Sequence, residues 1–184
     1  ATSQIDIIGP PGSQYFGSHI TVLANGNFVV TDQGYDIPGG AIDVGAVYLY
    51  DGATHALIST LTGSTRLDQI GMEVIPLSNG NFLVLSPFWL GSTGAVTWGS
   101  GISGVSGVVS SSNSLVGSTS EDQIGFYGYS PSVTELSNGN YLVISPSWDN
   151  GSATDAGAVT WGSGTTGVSG VVSNSNSLVG TTIG

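Results

Sequence analysis

Cysteine is absent from the 184 residues, and Arg66 is the only basic side chain against 12 acidic ones, for a net charge of −11. Without cysteine there is no disulfide framework, zinc ribbon or thiolate nucleophile. One arginine cannot displace the counterions of a nucleic-acid backbone, so nucleic acid is excluded as a partner, and an anionic membrane surface is excluded on the same ground. No apolar run approaches the roughly 18 to 20 residues of a membrane-spanning helix, so no insertion is expected. Ala1–Gly9 lacks the basic-then-apolar order of a signal peptide, and the chain reads as a mature or excised segment. Near-absence of Lys and Arg also leaves trypsin-like proteases one place to cut, which points to an extracellular or cell-surface setting. Charged residues make up only 7% of the chain while hydrophobic ones make up 39%, enough to order it. Its surface must be solvated by Ser and Thr hydroxyls and backbone.

What is abundant is repetition. Asn25-Gly26-Asn27-Phe28-Val29-Val30 recurs as Asn79-Gly80-Asn81-Phe82-Leu83-Val84 and as Asn138-Gly139-Asn140-Tyr141-Leu142-Val143. Gly45-Ala46-Val47-Tyr48 answers to Gly94-Ala95-Val96-Thr97-Trp98 and Gly157-Ala158-Val159-Thr160-Trp161. Closing glycines stand at 9, 63, 117 and 180, with periods of 54, 54 and 63. The last two units are nearest to each other: Thr97–Gly117 and Thr160–Gly180 differ only at Ile102/Thr165, Ser103/Thr166 and Ser111/Asn174.

Inside a unit the pattern is apolar run, Asn-Gly turn, apolar run, which predicts a β-hairpin of type I′ with both turn residues at positive φ. Two further apolar runs follow, as at Gly45–Tyr50 and Ala56–Leu61. No window carries a helical apolar stripe. The expectation is an all-β fold of three tandem four-stranded antiparallel repeats, each a propeller blade. Residues 1–9 are read as a terminal strand matching the last strand of a blade, 10–63 as blade 1, 64–117 as blade 2 and 118–184 as blade 3. A sandwich or stacked β-repeat made from the same hairpins is the alternative.

Phe16-Gly17, the Asn-Gly turn, Leu85-Ser86-Pro87 and Ile144-Ser145-Pro146, and Gly-Ala-Val followed by an aromatic residue together resemble the FG-GAP repeat of integrin-α-type propellers. Repeats of large bacterial secreted haemagglutinin-like adhesins look similar. The resemblance implies seven-bladed propeller architecture and a role in adhesion. Two departures stand out: later units have Ile70-Gly71 and Ile124-Gly125 for Phe-Gly, and Ser-Pro replaces Ala-Pro. Calcium-binding FG-GAP blades carry several Asp in the first turn, whereas this one reads Ser78-Asn79-Gly80-Asn81, so that calcium site does not carry over.

Three blades cannot close a ring, and an open sheet edge invites pairing. The expected assembly edge comprises Ile5, Ile7, Ile8, Leu178 and Val179, completed by self-association or by further repeats of a parent chain.

The residues offer four candidate chemistries. Asp32, Asp36 and Asp43 share a loop region of unit one, with Asp149 and Asp155 in the matching part of unit three, and such oxygen clusters suit calcium. Unit two has no acid there, and solvated loop carboxylates are the competing reading, so no cofactor is expected beyond that candidate calcium. Gly99–Gly104 and Gly162–Gly167 match GxGxxG, but no helix follows to hold a phosphate, so they read as turns. His19 and His55 are the only histidines and no Gly-x-Ser-x-Gly elbow exists, so the protein is read as non-enzymatic. Tyr35, Trp89 and Trp148 lie in equivalent loops beside polar residues, where an aromatic face could stack on a sugar ring; packing between blades is the competing reading. The strand residues Trp98 and Trp161 are expected to pack between blades. Asp68-Gln69 and Asp122-Gln123 recur at unit junctions, as a loop-fixing hydrogen bond would.

The resulting expectation is a non-enzymatic extracellular β-propeller module for adhesion or assembly. Its alternatives are a glycan-binding lectin using Tyr35, Trp89 and Trp148, and a filament or surface-layer subunit joined by strand exchange.

Overall fold

The apolar runs within each unit form strands, and each unit folds as an antiparallel meander. The computed structural model describes residues 4–184. Unit one contains β1 (Ile20–Val22), β2 (Phe28–Asp32), β3 (Ala46–Tyr50) and β4 (Leu57–Thr62). Unit two contains β5 (Glu73–Pro76), β6 (Phe82–Ser86), β7 (Ala95–Gly99), a two-residue β8 (Gly107–Val108) and β9 (Ser114–Val116). Unit three opens with an inserted hairpin, β10 (Phe126–Tyr127) and β11 (Ser130–Pro131), and continues through β12 (Val133–Glu135), β13 (Tyr141–Ser145), β14 (Ala158–Gly162), β15 (Gly170–Val171) and β16 (Ser177–Val179).

The all-β class and the threefold repetition hold. The expected propeller of four-stranded blades is not what forms among the described residues: the first two sheets gain a parallel fifth strand, and β10 and β11 make a separate two-stranded sheet. The five-stranded orders are β1-β2-β3-β4-β8 and β5-β6-β7-β9-β15, whereas the third sheet stops at four strands, β12-β13-β14-β16. The fifth strand always comes from the following unit: Gly107 and Val108 pair with Leu61 and Thr62, and Gly170 and Val171 pair with Leu115 and Val116. Every described sheet keeps two open edges, so none closes into a barrel. Residues 4–9 form no strand, which corrects the expected terminal strand over 1–9; residues 1–3 lie outside the described residues. Ile7 packs at the margin of the unit-one core while Ile5 and Ile8 are exposed off any sheet, so these three do not form a strand edge.

The Asn-Gly turns also differ from type I′. Only the glycine has positive φ, at 89° in Gly26, 87° in Gly80 and 79° in Gly139. Leu23 N–H donates to Asn27 O and Gly26 N–H to Leu23 O, which is the three-residue hairpin loop ending in a left-handed glycine. Asn25 Oδ1 accepts Asn27 N–H at 3.1 Å, and Asn79 and Asn138 do the same for Asn81 and Asn140. That local bond holds the first asparagine outside the left-handed region.

Sheets stack through their apolar faces. The core between units one and two gathers Val29, Val47, Leu49 and Leu61 against Val74, Phe82, Val84, Val109 and Val116. The core between units two and three gathers Leu83, Val96 and Leu115 against Tyr141, Val143, Ala158 and Val172. A third cluster on the outer face of unit one holds Val30, Ala46, Tyr48 and Tyr50, with Phe16, Phe28 and Tyr35 packed on it.

Candidate functional site: the interface between repeats

The unit-to-unit joint is the most elaborate arrangement in the molecule, and it is built twice from the same parts. The first part is an amide clamp. Asn25 and Asn27 both donate their Nδ2 groups to Gly101 O, at 2.7 and 2.8 Å. One joint later, Asn79 and Asn81 hold Gly164 O at 2.7 and 2.9 Å, joined by Trp98 Nε1–H at 3.1 Å. The second asparagine also accepts a glycine N–H through Oδ1: Asn27 from Gly52, Asn81 from Gly101 and Asn140 from Gly164, each at about 3.0 to 3.1 Å. These three positions must be glycine, because a Cβ there would stand 1.7–1.8 Å from the carbonyl oxygen of the turn glycine. So the glycines of the GxGxxG segments serve a protein contact, and the segment closes on itself through Gly104 N–H to Ser100 O.

The second part is the arm that follows this turn and delivers β8 or β15 to the preceding sheet. Gly107 and Gly170 carry φ of 101° and 109°. Beyond the short strand, Val109 N–H donates to Thr62 O and Val172 N–H to Val116 O, and both valines are buried. Unit one has no arm; its chain turns tightly at Asp51, whose N–H donates to Ala56 O.

The third part is a strap. Asp68 is buried and its Oδ2 accepts Ser64 N–H and Thr65 N–H, while Oδ1 accepts Leu90 N–H at 3.0 Å. Asp122 repeats this with Ser118 N–H, Thr119 N–H and Asp149 N–H. The fixed loop lays Gln69 N–H on Asp43 O and Ile70 N–H on Val44 O, and at the next joint Gln123 and Ile124 on Ser92 and Thr93. Gly45 and Gly94 lie under it, at positive φ, where an added Cβ would meet Ile70 N at 2.1 Å and Ile124 N at 2.3 Å. The recurrent Asp-Gln pair is therefore the loop-fixing device anticipated from the sequence.

Unit three presents the receiving half of this joint with none of the described residues upon it. Cross-strand partners Val47↔Leu61 and Val96↔Leu115 correspond to Val159↔Leu178. Leu61 and Leu115 are 0% exposed, and Leu178 is 80% exposed. Trp98 is half-buried under Gly167 of the arm, whereas Trp161, in the same place and the same local sequence, is 53% exposed. Leu142, Val159, Trp161 and Leu178 line an open groove of about 320 Å³. Val179, the other expected edge residue, is half-buried in β16.

The other sequence candidates are placed differently. Trp148 is only 4% exposed and belongs to the core between units two and three; Trp89 packs against the first inter-unit core, and Tyr35 against the aromatic cluster of unit one. All three take the packing role. Asp32 is buried at the end of β2, where Oδ1 accepts Tyr15 N–H at 2.9 Å. Asp36 instead accepts Asp43 N–H at 2.7 Å and Gln14 Nε2–H at 3.2 Å. Asp149 accepts Asp155 N–H in the same way, with Asp43 and Asp155 at φ of 52° and 51°. These carboxylates shape two equivalent loops. Among the described residues, no three His, Cys, Asp or Glu side chains are placed together to hold a metal ion. His19 is exposed, and His55 sits in the Asp51 turn at φ 61°.

Burial raises the hydroxyl pKa of Tyr141 and Tyr50, and that of Tyr48, where Asp32 adds to it. A tyrosine whose folded pKa lies above its unfolded value of about 10 contributes stability that is complete below that pH and is lost as pH rises further. Thermal unfolding should therefore show falling stability above about pH 10. Tyr141 Oη lies near the Val168 backbone but makes no well-formed hydrogen bond among the described residues. Tyr141→Phe should thus flatten the alkaline decline and leave Tm at neutral pH equal or higher, since an unpaired buried hydroxyl costs about 1 kcal/mol or more. A lower neutral-pH Tm would show that this hydroxyl is bonded.

None of the curated proteins compared with the chain matches it. Residues 22–72, 76–126 and 135–184 each match a family described as a repeat of unknown function, DUF5650. The FG-GAP identity is not supported, and each match begins at the last residue of a meander's first strand, at Val22, Pro76 and Glu135, and runs into the sequence that follows the meander. By three tandem matches over most of its length, the chain belongs to the DUF5650 repeat family.

Proposed function

We propose that this chain is a non-enzymatic repeat module for adhesion or protein assembly, working outside the cell, with the outer face of unit three as its contact surface. One observation carries the reading: the apolar face that units one and two bury against a neighbour is bare in unit three. Face-to-face stacking of four-stranded meanders is also how propeller blades pack, and three such blades would need further sheets to complete a ring or an extended array. The charge balance supports an extracellular setting, with a single Arg66 exposed in a junction loop.

Sedimentation of the purified chain over a range of concentrations tests this. Reversible association is expected, since burying Leu178 and Trp161 supplies about 1.5–3 kcal/mol for each side chain. Leu178→Asp should abolish it. A chain that stays monomeric at every concentration, or associates equally with Asp at 178, would remove the reading.

A further inference from the structure

We infer that the outer face of unit three is a socket for one kind of partner: another repeat of this family that carries the arm and strap found in units two and three. This deepens the proposed function and rests on it. Four features of the socket, beyond its bare apolar face, point to that occupant. Among the described residues the β16 edge receives no parallel strand of the kind that β4 and β9 receive, and by the register of the other joints a glycine of an incoming arm would sit opposite Leu178. Asn138 and Asn140 already make the local bonds of the clamp, with Oδ1 accepting Asn140 N–H and Gly164 N–H. Their Nδ2 groups have no acceptor among the described residues, where the equivalent pairs grip a glycine carbonyl.

Gly157 is the third feature. It has the positive φ of Gly45 and Gly94, but an added Cβ would meet nothing nearer than 3.5 Å, because no strap crosses it. Fourth, Gly184 N–H donates to Thr154 O as Leu67 N–H donates to Ile42 O, so the first rung of a strap is in place. A repeat of the unit-one type does not fit. It has no arm to pair with β16, and its matching face is covered by Phe16 and Ile7.

The test is the full chain lengthened after Gly184 by a copy of residues 122–184, with amide hydrogen exchange followed at Leu178 and Val179. Exchange there should slow by at least about tenfold relative to the natural chain. The lengthened chain should give no slowing when Gly157 of its original unit three, not of the added copy, is replaced by Ala, which puts a methyl under the strap. Nor should it when the arm of the added copy is replaced by the short turn of residues 51–56. Unchanged exchange in the longer chain, or equal slowing in all three versions, would overturn the assignment. If the longer chain does not fold, a synthetic peptide of residues 163–177 added to the natural chain asks the same of the arm alone, and unchanged exchange at saturating peptide counts against it. Loss of self-association in sedimentation with protection intact here would remove the self-association and keep this partner.

Discussion

Gly94→Ala is expected to lower the stability of the chain by about 4 kcal/mol, a fall of roughly 10 °C in Tm for a protein of this size. Two costs combine. Alanine at φ 82° loses about 1–2 kcal/mol to the clash of its own Cβ with backbone. That Cβ would also stand 2.3 Å from Ile124 N and 2.8 Å from the Gln123 carbonyl carbon, backbone atoms that cannot swing aside. Gly45→Ala should cost as much, against Ile70 N at 2.1 Å. Gly157→Ala provides the internal control: it keeps φ 78° but its Cβ makes only ordinary van der Waals contact, 3.5 Å from Pro146 O, so only the conformational cost of about 1–2 kcal/mol remains. Differential scanning calorimetry of the three variants reads this directly. Equal losses at all three sites would mean that backbone conformation alone decides, and that the strap bears little load.

Val172→Asp is the second large effect, expected at about 4 kcal/mol because it places an unpaired charge in the core between units two and three. Val171, one residue earlier in the same arm, is 46% exposed, so Val171→Asp should change stability by no more than about 0.5 kcal/mol. Urea denaturation separates the two. Exchange at Leu115 and Val116 should accelerate in the first variant and not in the second. Equal effects would show that the arm is held by its β pairing to β9 rather than by the valine beneath it.

Much of the fold is legible in the order of residues, because the information it needs is local. Asn-Gly flanked by apolar runs places the β1–β2, β5–β6 and β12–β13 hairpins, and Asp-Gln before an apolar residue and glycine marks the loop that Asp68 and Asp122 fix. The contact surface is not local, so the sequence points to Leu178 and Val179 at its edge but not to the clamp, arm and strap around them. Asn25 and Asn27 meet Gly101 from the far side of a joint, and nothing in the Asn-Gly-Asn triplet names its acceptor. The parallel strands are two residues long and glycine-led, below any periodicity signal. Trp98 and Trp161 share the sequence Val-Thr-Trp-Gly-Ser-Gly, yet one is half-buried and the other bare, so exposure here is decided by whether a neighbour exists. The loop aromatics fail for the converse reason. Trp148 and Trp89 look like surface platforms in the sequence, but the stacking of one sheet on the next buries Trp148 and half-buries Trp89.

The origin of the fifth strands sets an order for folding. The last strand of unit one waits for residues 107–108, and that of unit two for residues 170–171. As the polypeptide leaves the ribosome, the first two meanders therefore emerge with a sticky flank that stays unmatched until the following unit has been translated. Such pairings between residues far apart in the chain are slow to form and prone to capture by a wrong mate. Because the arms at 97–117 and 160–180 are nearly the same in sequence, the commonest wrong mate is the arm of a sister chain, and crowded synthesis should yield interlocked molecules rather than shapeless aggregate.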